Sequence, residues 1–189
     1  MSAPLLVIVG GAPGTGKTTL ARELARRLHV AILAKDEIKE VLGDTLGVGD
    51  RARSRELGAA AYAVMWAVAR RTLDADASIV VEANFSRDRS RDELHRLAVG
   101  TDAVIVLCRS DAATRRERFA ARSDRHPVHL DTEILANEWP ADDSAFDIDI
   151  GIPRLLVDTT NGYDPALDAI TAWVSSKGGP RTSVRRPVD

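Results

Sequence analysis

Gly10-Gly11-Ala12-Pro13-Gly14-Thr15-Gly16-Lys17-Thr18-Thr19 is the stretch whose reading decides the fold. Residues 11–18 match G-x-x-x-x-G-K-[ST], the P-loop pattern. The preceding Leu5–Val9 is a continuous apolar run, as in a strand buried on both faces. Beyond it Leu20, Leu24 and Leu28 recur at spacing four, as on the buried face of a helix. A glycine-rich turn between strand and helix lets successive backbone N–H groups point inward at phosphate oxygens. The helix that follows aims its positive end at the same anion. The nucleotide-binding set is therefore Gly11, Ala12, Pro13, Gly14, Thr15, Gly16, Lys17, Thr18 and Thr19. Lys17 is expected to bridge the β- and γ-phosphates of ATP, and the Thr18 hydroxyl to ligate Mg²⁺.

Working outward, Val30–Ala34, Ile79–Val81, Val104–Cys108 and Leu155–Val157 are further short apolar runs, expected to be buried on both faces. Helical patterns lie between and after them at Ser54–Leu73, Arg89–Leu97, Ala112–Arg122 and Pro165–Val174. In Ser54–Leu73 the expected stripe is Leu57, Ala61, Val64, Met65 and Val68. Strands alternating with helices predict a three-layer α/β domain around a parallel sheet. Arg125–Ile152 lacks this regularity and is expected to form an excursion or lid, with a short helix over Asp131–Asn137. The expected organisation is one domain over 1–176, with a lid near 115–150, and a flexible tail over 177–189.

The 189 residues carry a net charge of −2, with 44% hydrophobic and 29% charged side chains. That composition excludes disordered, collagen-like and membrane classes. It also argues against a general nucleic-acid binder, which needs a basic excess. The distribution is uneven, however. Residues 115–125 hold five arginines for a local charge of +3, whereas 127–150 hold seven carboxylates and no Lys or Arg. Cys108 is the only cysteine, which rules out an intrachain disulfide and fits a reducing compartment. The apolar run near the start is too short for a signal peptide or membrane span, so a cytoplasmic location is expected.

Four further features bear on chemistry. Asp36 follows the second strand, where open α/β sheets bind ligands; it can accept a proton from an attacking hydroxyl or cap the helix after it. Glu82 ends the third strand and can hold a Mg²⁺-bound water or stand as an ordinary strand-end polar residue; Asn84 beside it can hold substrate. Arg115, Arg118, Arg122 and Arg125 are spaced three, four and three apart, the comb expected on one helical face that clamps a phosphate. Pro127 is expected to end that helix. Asp158-Thr159-Thr160-Asn161-Gly162 follows the last strand as a polar loop that can reach a nucleotide base or, at Asn-Gly, serve as a plain turn. His126 and His129 lack a third ligand and make a weak metal site.

The set formed by Gly11 to Thr18, Lys35-Asp36, Glu82-Ala83-Asn84, the 115–125 arginines and Asp158-Thr159-Thr160 resembles P-loop kinases that include polynucleotide 5′-hydroxyl kinase, gluconate kinase, chloramphenicol phosphotransferase and zeta toxins. The resemblance covers about residues 4–175. It implies a P-loop NTPase fold with a five-stranded parallel sheet and an arginine-rich lid. It further implies Asp36 as base, Arg118 and Arg122 as the catalytic lid arginines, and Thr18 with Glu82 (through water) at the metal. Glu82 departs from the family's usual Asp. The expectation is an ATP- and Mg²⁺-dependent phosphotransferase acting on a hydroxyl of a small metabolite or antibiotic, with no membrane or nucleic-acid partner. A polynucleotide or nucleotide-sugar kinase and a regulatory ATPase are the alternatives. Lys39, Arg51, Arg53 and Arg55 hint at an acidic or phosphorylated acceptor.

Overall fold

The computed structural model describes residues 3–122, 125–140 and 142–178. Five strands, β1 (Leu5–Gly11), β2 (Ala31–Ala34), β3 (Ile79–Glu82), β4 (Asp102–Arg109) and β5 (Arg154–Asp158), form one parallel sheet in the order β2-β3-β1-β4-β5. The helices are α1 (Lys17–Leu28), α2 (Lys35–Leu46), α3 (Arg51–Asp74), α4 (Arg87–Ala98), α5 (Ala112–Ala120), the short α6 (Asp131–Glu133) and α7 (Leu167–Lys177). No described helix is long and apolar enough to cross a membrane.

Alternation along β1 divides the core. Leu6 and Ile8 join Met65, Ala69, Leu73, Leu94 and Leu97 of α3 and α4 on one face. Leu5, Val7 and Val9 join Leu20, Leu24 and Leu28 of α1 with Ile170 and Val174 of α7 on the other. A strand covered on both faces is apolar along its length, which is why β1, β3 and β4 are apolar runs, with Glu82, Asp102 and Arg109 only at strand ends. The expectation of two-sided burial fails for the edge strands: Ala31 and Leu156 are exposed.

Several boundaries differ from the periodicity reading. The buried stripe of α3 is Leu57, Ala61, Met65, Ala69 and Leu73, and Val64 and Val68 face outward at 42% and 40% exposure. Helix α2 was not marked by periodicity, because its buried residues are Lys39 and Gly43. Helix α5 ends at Ala120, capped by Ala121, so Pro127 does not terminate it and the arginine stripe is broken after Arg118. Helix α7 continues through Lys177; residues 179–189 of the expected tail lie outside the described residues.

The expected excursion is partly core. Ile148 and Ile150 are 2% and 7% exposed and pack into the α3–α4 layer. Asp147 between Phe146 and Ile148 accepts from Arg109 at 2.7 Å and Arg154 at 2.5 Å. Burying each isoleucine stabilises by about 1.5–3 kcal/mol, so this half of the segment is anchored to the sheet. Asp131–Glu133 is helical as expected and continues as a π turn over Ile134–Glu138.

Candidate active site

Sheet register brings the site together. Glu82, the last residue of β3, lies beside Val9 of β1 and Ala34 of β2. The P-loop, Lys35-Asp36 and Ala83-Asn84 therefore leave the sheet side by side at its carboxyl edge, where open α/β sheets bind ligands.

The loop is shaped by close backbone approach. A Cβ on Gly11 would lie 2.5 Å from the Cys108 carbonyl oxygen, and one on Gly14 would collide with the backbone of Arg115. Thr15 is fully buried; its hydroxyl donates to the Ala12 carbonyl at 2.9 Å, and Thr159 donates to the Thr15 carbonyl at 2.8 Å. Gly16, at φ 71°, caps α1 without a side-chain hydrogen bond. The first N–H groups of α1 consequently have no side-chain acceptor and are available to an anion.

Lys17 is buried with its Nζ 3.9 Å from Glu82 Oε1. Burial lowers its pKa, while Glu82 and Asp36 oppose the shift. Glu82 is 2% exposed. Burial raises its pKa, opposed by Lys17 and by a hydrogen bond with Thr18. The half-buried Thr18 hydroxyl and the buried Glu82 carboxylate are hard oxygen ligands of the kind Mg²⁺ takes, so the two fit that ion.

Asp36 occupies the first turn of α2, but the N-cap is Ala34 and no side chain caps the helix. The capping alternative is thereby set aside. Its carboxylate instead meets Lys35 Nζ at 3.0 Å and the guanidinium of Arg125. Burial would raise its pKa, but Lys35, Arg125 and His129 together hold it well below the usual carboxylate range. Among the charges acting on both Lys17 and Glu82 is Asp36.

The four arginines of the comb part company. Arg115 is 2% exposed, its guanidinium 5.9 Å from the Trp139 ring centre. Arg118 donates to the carbonyls of Thr159 and Thr160 at 2.8 and 2.9 Å, bracing the loop after β5. Arg122 lies over Phe119 and 3.7 Å from Asp131, within the electrostatic reach of Lys17, Asp36 and Glu82. Arg125 pairs with Asp36, Glu40 and Asp131. Its direct contact with Asp36 is the feature that sequence spacing did not single out; the only signal was its place at the end of the comb. His126 and His129 do not converge: each is paired with its own carboxylate, Asp44 and Glu40.

Residues 6–138 match the family model described as an AAA domain. A crystal structure of a candidate kinase from Chloroflexus aurantiacus J-10-fl is similar to this chain at 33% identity and a TM-score of 0.80, covering 93% of this chain and 98% of that one. An uncharacterized protein of Mycobacterium tuberculosis is 31% identical over 127 residues, 62% of this chain; the match spans 26% of that relative's length. The Mycobacterium tuberculosis APS kinase, in complex with AMPPNP and APS, shares the fold at 18% identity and a TM-score of 0.58, over 93% of this chain and 97% of that one.

Proposed function

The chain belongs to the AAA domain family, a P-loop kinase-like group, and on that premise we propose that it transfers the γ-phosphoryl group of ATP to a hydroxyl of a small molecule. The observation that supports this reading is that the P-loop, Glu82 and Lys35-Asp36 leave neighbouring strands at one sheet edge, with Lys17 3.9 Å from Glu82. A second carboxylate at that edge can orient an attacking hydroxyl.

In this reading residues 11–19 hold the triphosphate through backbone N–H groups, and Lys17 contacts the transferring group. Thr18 and, through water, Glu82 would hold Mg²⁺, which would supply neutralising charge on the phosphate oxygens. Asp36 accepts a hydrogen bond from the acceptor hydroxyl and fixes its line of attack. Phosphoryl transfer passes through a loose transition state in which orientation matters more than early proton removal, a task suited to a carboxylate with a depressed pKa. Arg122 and Arg125, on the segment proposed as a lid, offset charge on the transferring group. Arg118 positions the Thr159–Thr160 loop toward the nucleotide.

Asp36→Asn tests the assignment. It should leave ATP affinity within about threefold and reduce phosphoryl transfer by at least ~100-fold, read by titration and by coupled assay over a library of hydroxyl compounds. Undiminished transfer would remove Asp36 from the reaction. Lys17→Ala should abolish turnover, and a fully active variant would sink the P-loop role. Steady ATP hydrolysis with no phosphorylated product across the library would favour a regulatory ATPase.

A further inference from the structure

Resting on the phosphotransferase reading above, we propose that the acceptor is itself a small anion, a hydroxylated carboxylate or phosphomonoester whose charged group is received by Lys35 and Lys39 of α2.

Lys39 is 5% exposed, and its Nζ donates to Ser54 Oγ at 2.7 Å. Ser54 passes the bond on to the Val128 carbonyl at 2.7 Å. Among the described residues no carboxylate forms an ion pair with Lys39. Those around it are committed elsewhere: Asp36 to Lys35 and Arg125, Glu40 to His129 and Arg125, and Glu138 to Arg51 and Arg55. A buried ammonium without a counter-charge is costly. Burial first, and then the proximity of Lys35, lower the Lys39 pKa to about 8. Such a group gains more from a bound anion than a solvated lysine does.

Lys35 lies one turn earlier on α2, and four-residue spacing sets both lysines on one face. Gly58 of α3 faces the two of them. A Cβ placed there would be 3.9 Å, ordinary contact distance, from both Lys35 Nζ and Lys39 Cε. At the adjoining end of β3, Asn84 Oδ1 is buried with no hydrogen-bond partner. That acceptor suits a ligand hydroxyl. The unpaired Lys39, Lys35 with its charge shared with Asp36, and an orphaned amide oxygen together match a hydroxy acid or a sugar phosphate better than a neutral alcohol. The arginines that hinted at an anion from sequence are otherwise engaged, Arg51 and Arg55 by Glu138 and Arg53 by Glu56.

The charged groups acting on Lys39 are Lys35 and Asp36 from α2, Arg51 from α3, and Arg125, His129 and Asp131 from the segment around α6. Anion binding should draw Lys39 fully into its protonated form, taking up about half a proton per anion at pH 8. Calorimetric titration of the whole chain at pH 8, in buffers of different ionisation enthalpy, reads both affinity and uptake. The probes are glycerol, glycerate and glycerol 3-phosphate, and sorbitol, gluconate and sorbitol 6-phosphate. In at least one series the charged members should bind about tenfold or more tightly than the neutral one, with uptake; carboxylate against phosphate identifies the group. Lys39→Met should erase both preference and uptake. Lys39→Arg should keep the preference without uptake, which decides the matter if the methionine variant does not fold. Equal affinity across both series, no affinity for any charged probe, or uptake persisting in Lys39→Met overturns the inference. Charged probes bound but never phosphorylated would instead sink the phosphotransferase reading and leave the anion site. Neutral probes phosphorylated as readily as charged ones would do the reverse.

Discussion

Gly14 and Gly16 both have positive φ, 83° and 71°, yet the structure asks different things of them. At Gly14 a side chain would strike the Arg115 backbone, whereas at Gly16 nothing lies within 4 Å. Gly16→Ala should therefore cost only the left-handed penalty, about 1 kcal/mol. Gly14→Ala adds displacement of α5 and should cost about 2–4 kcal/mol. Urea unfolding of the two variants checks this; equal losses would mean that the approach of Arg115 to the loop is not what makes Gly14 necessary. The P-loop residues were legible in sequence because their roles are local, set by backbone conformation within ten residues. The partner of Asp36 was not. Arg125 reaches it across 89 positions, beyond the end of α5 at Ala120.

Helices with an apolar stripe were legible and those with a polar buried face were not. Helix α3 announces itself through Leu57, Ala61 and Met65, although the valines at 64 and 68 drew the expected stripe too wide. Met65→Ala removes a fully buried side chain among Ile8, Ala69 and Phe85 and should cost about 2–5 kcal/mol. Val64→Ala, at 42% exposure, should cost less than about 1 kcal/mol. Comparable losses by thermal or urea unfolding would contradict the register of α3 against the sheet. Helix α2 stayed hidden for a reason tied to function: its inward positions are Lys39 and Gly43, the first facing Ser54 and the second packed against Val128. An element that turns charge inward toward a site has no hydrophobic period to read.

Across the whole molecule the uneven charge becomes a set of staples. Asp131 meets Arg122 and Arg125, Glu138 meets Arg51 and Arg55, and Asp147 meets Arg109 and Arg154. The acidic stretch thus ties strands and helices from both halves of the chain, a role that no local charge count discloses. His129, the one titratable base buried within it, makes the assembly sensitive to acid. Burial, with Arg125, Lys39 and Lys35 adding to it against the pull of Asp36, lowers its pKa to about 3. Its Nε2 donates to Glu40 at 2.8 Å. Because the folded pKa lies below the unfolded value of about 6.5, the unfolded chain binds the extra proton between them. The stabilisation is complete above pH 6.5 and is lost as pH falls toward 3. Between pH 6.5 and 5 the loss from this group should reach about 1–2 kcal/mol. His129→Asn, which keeps a donor without the titration, should be less stable at pH 7.5 but should show a shallower fall between pH 6.5 and 5. Urea midpoints at those pH values decide it: parallel pH profiles for the two proteins would mean that the acid sensitivity lies in the carboxylate staples and not in His129.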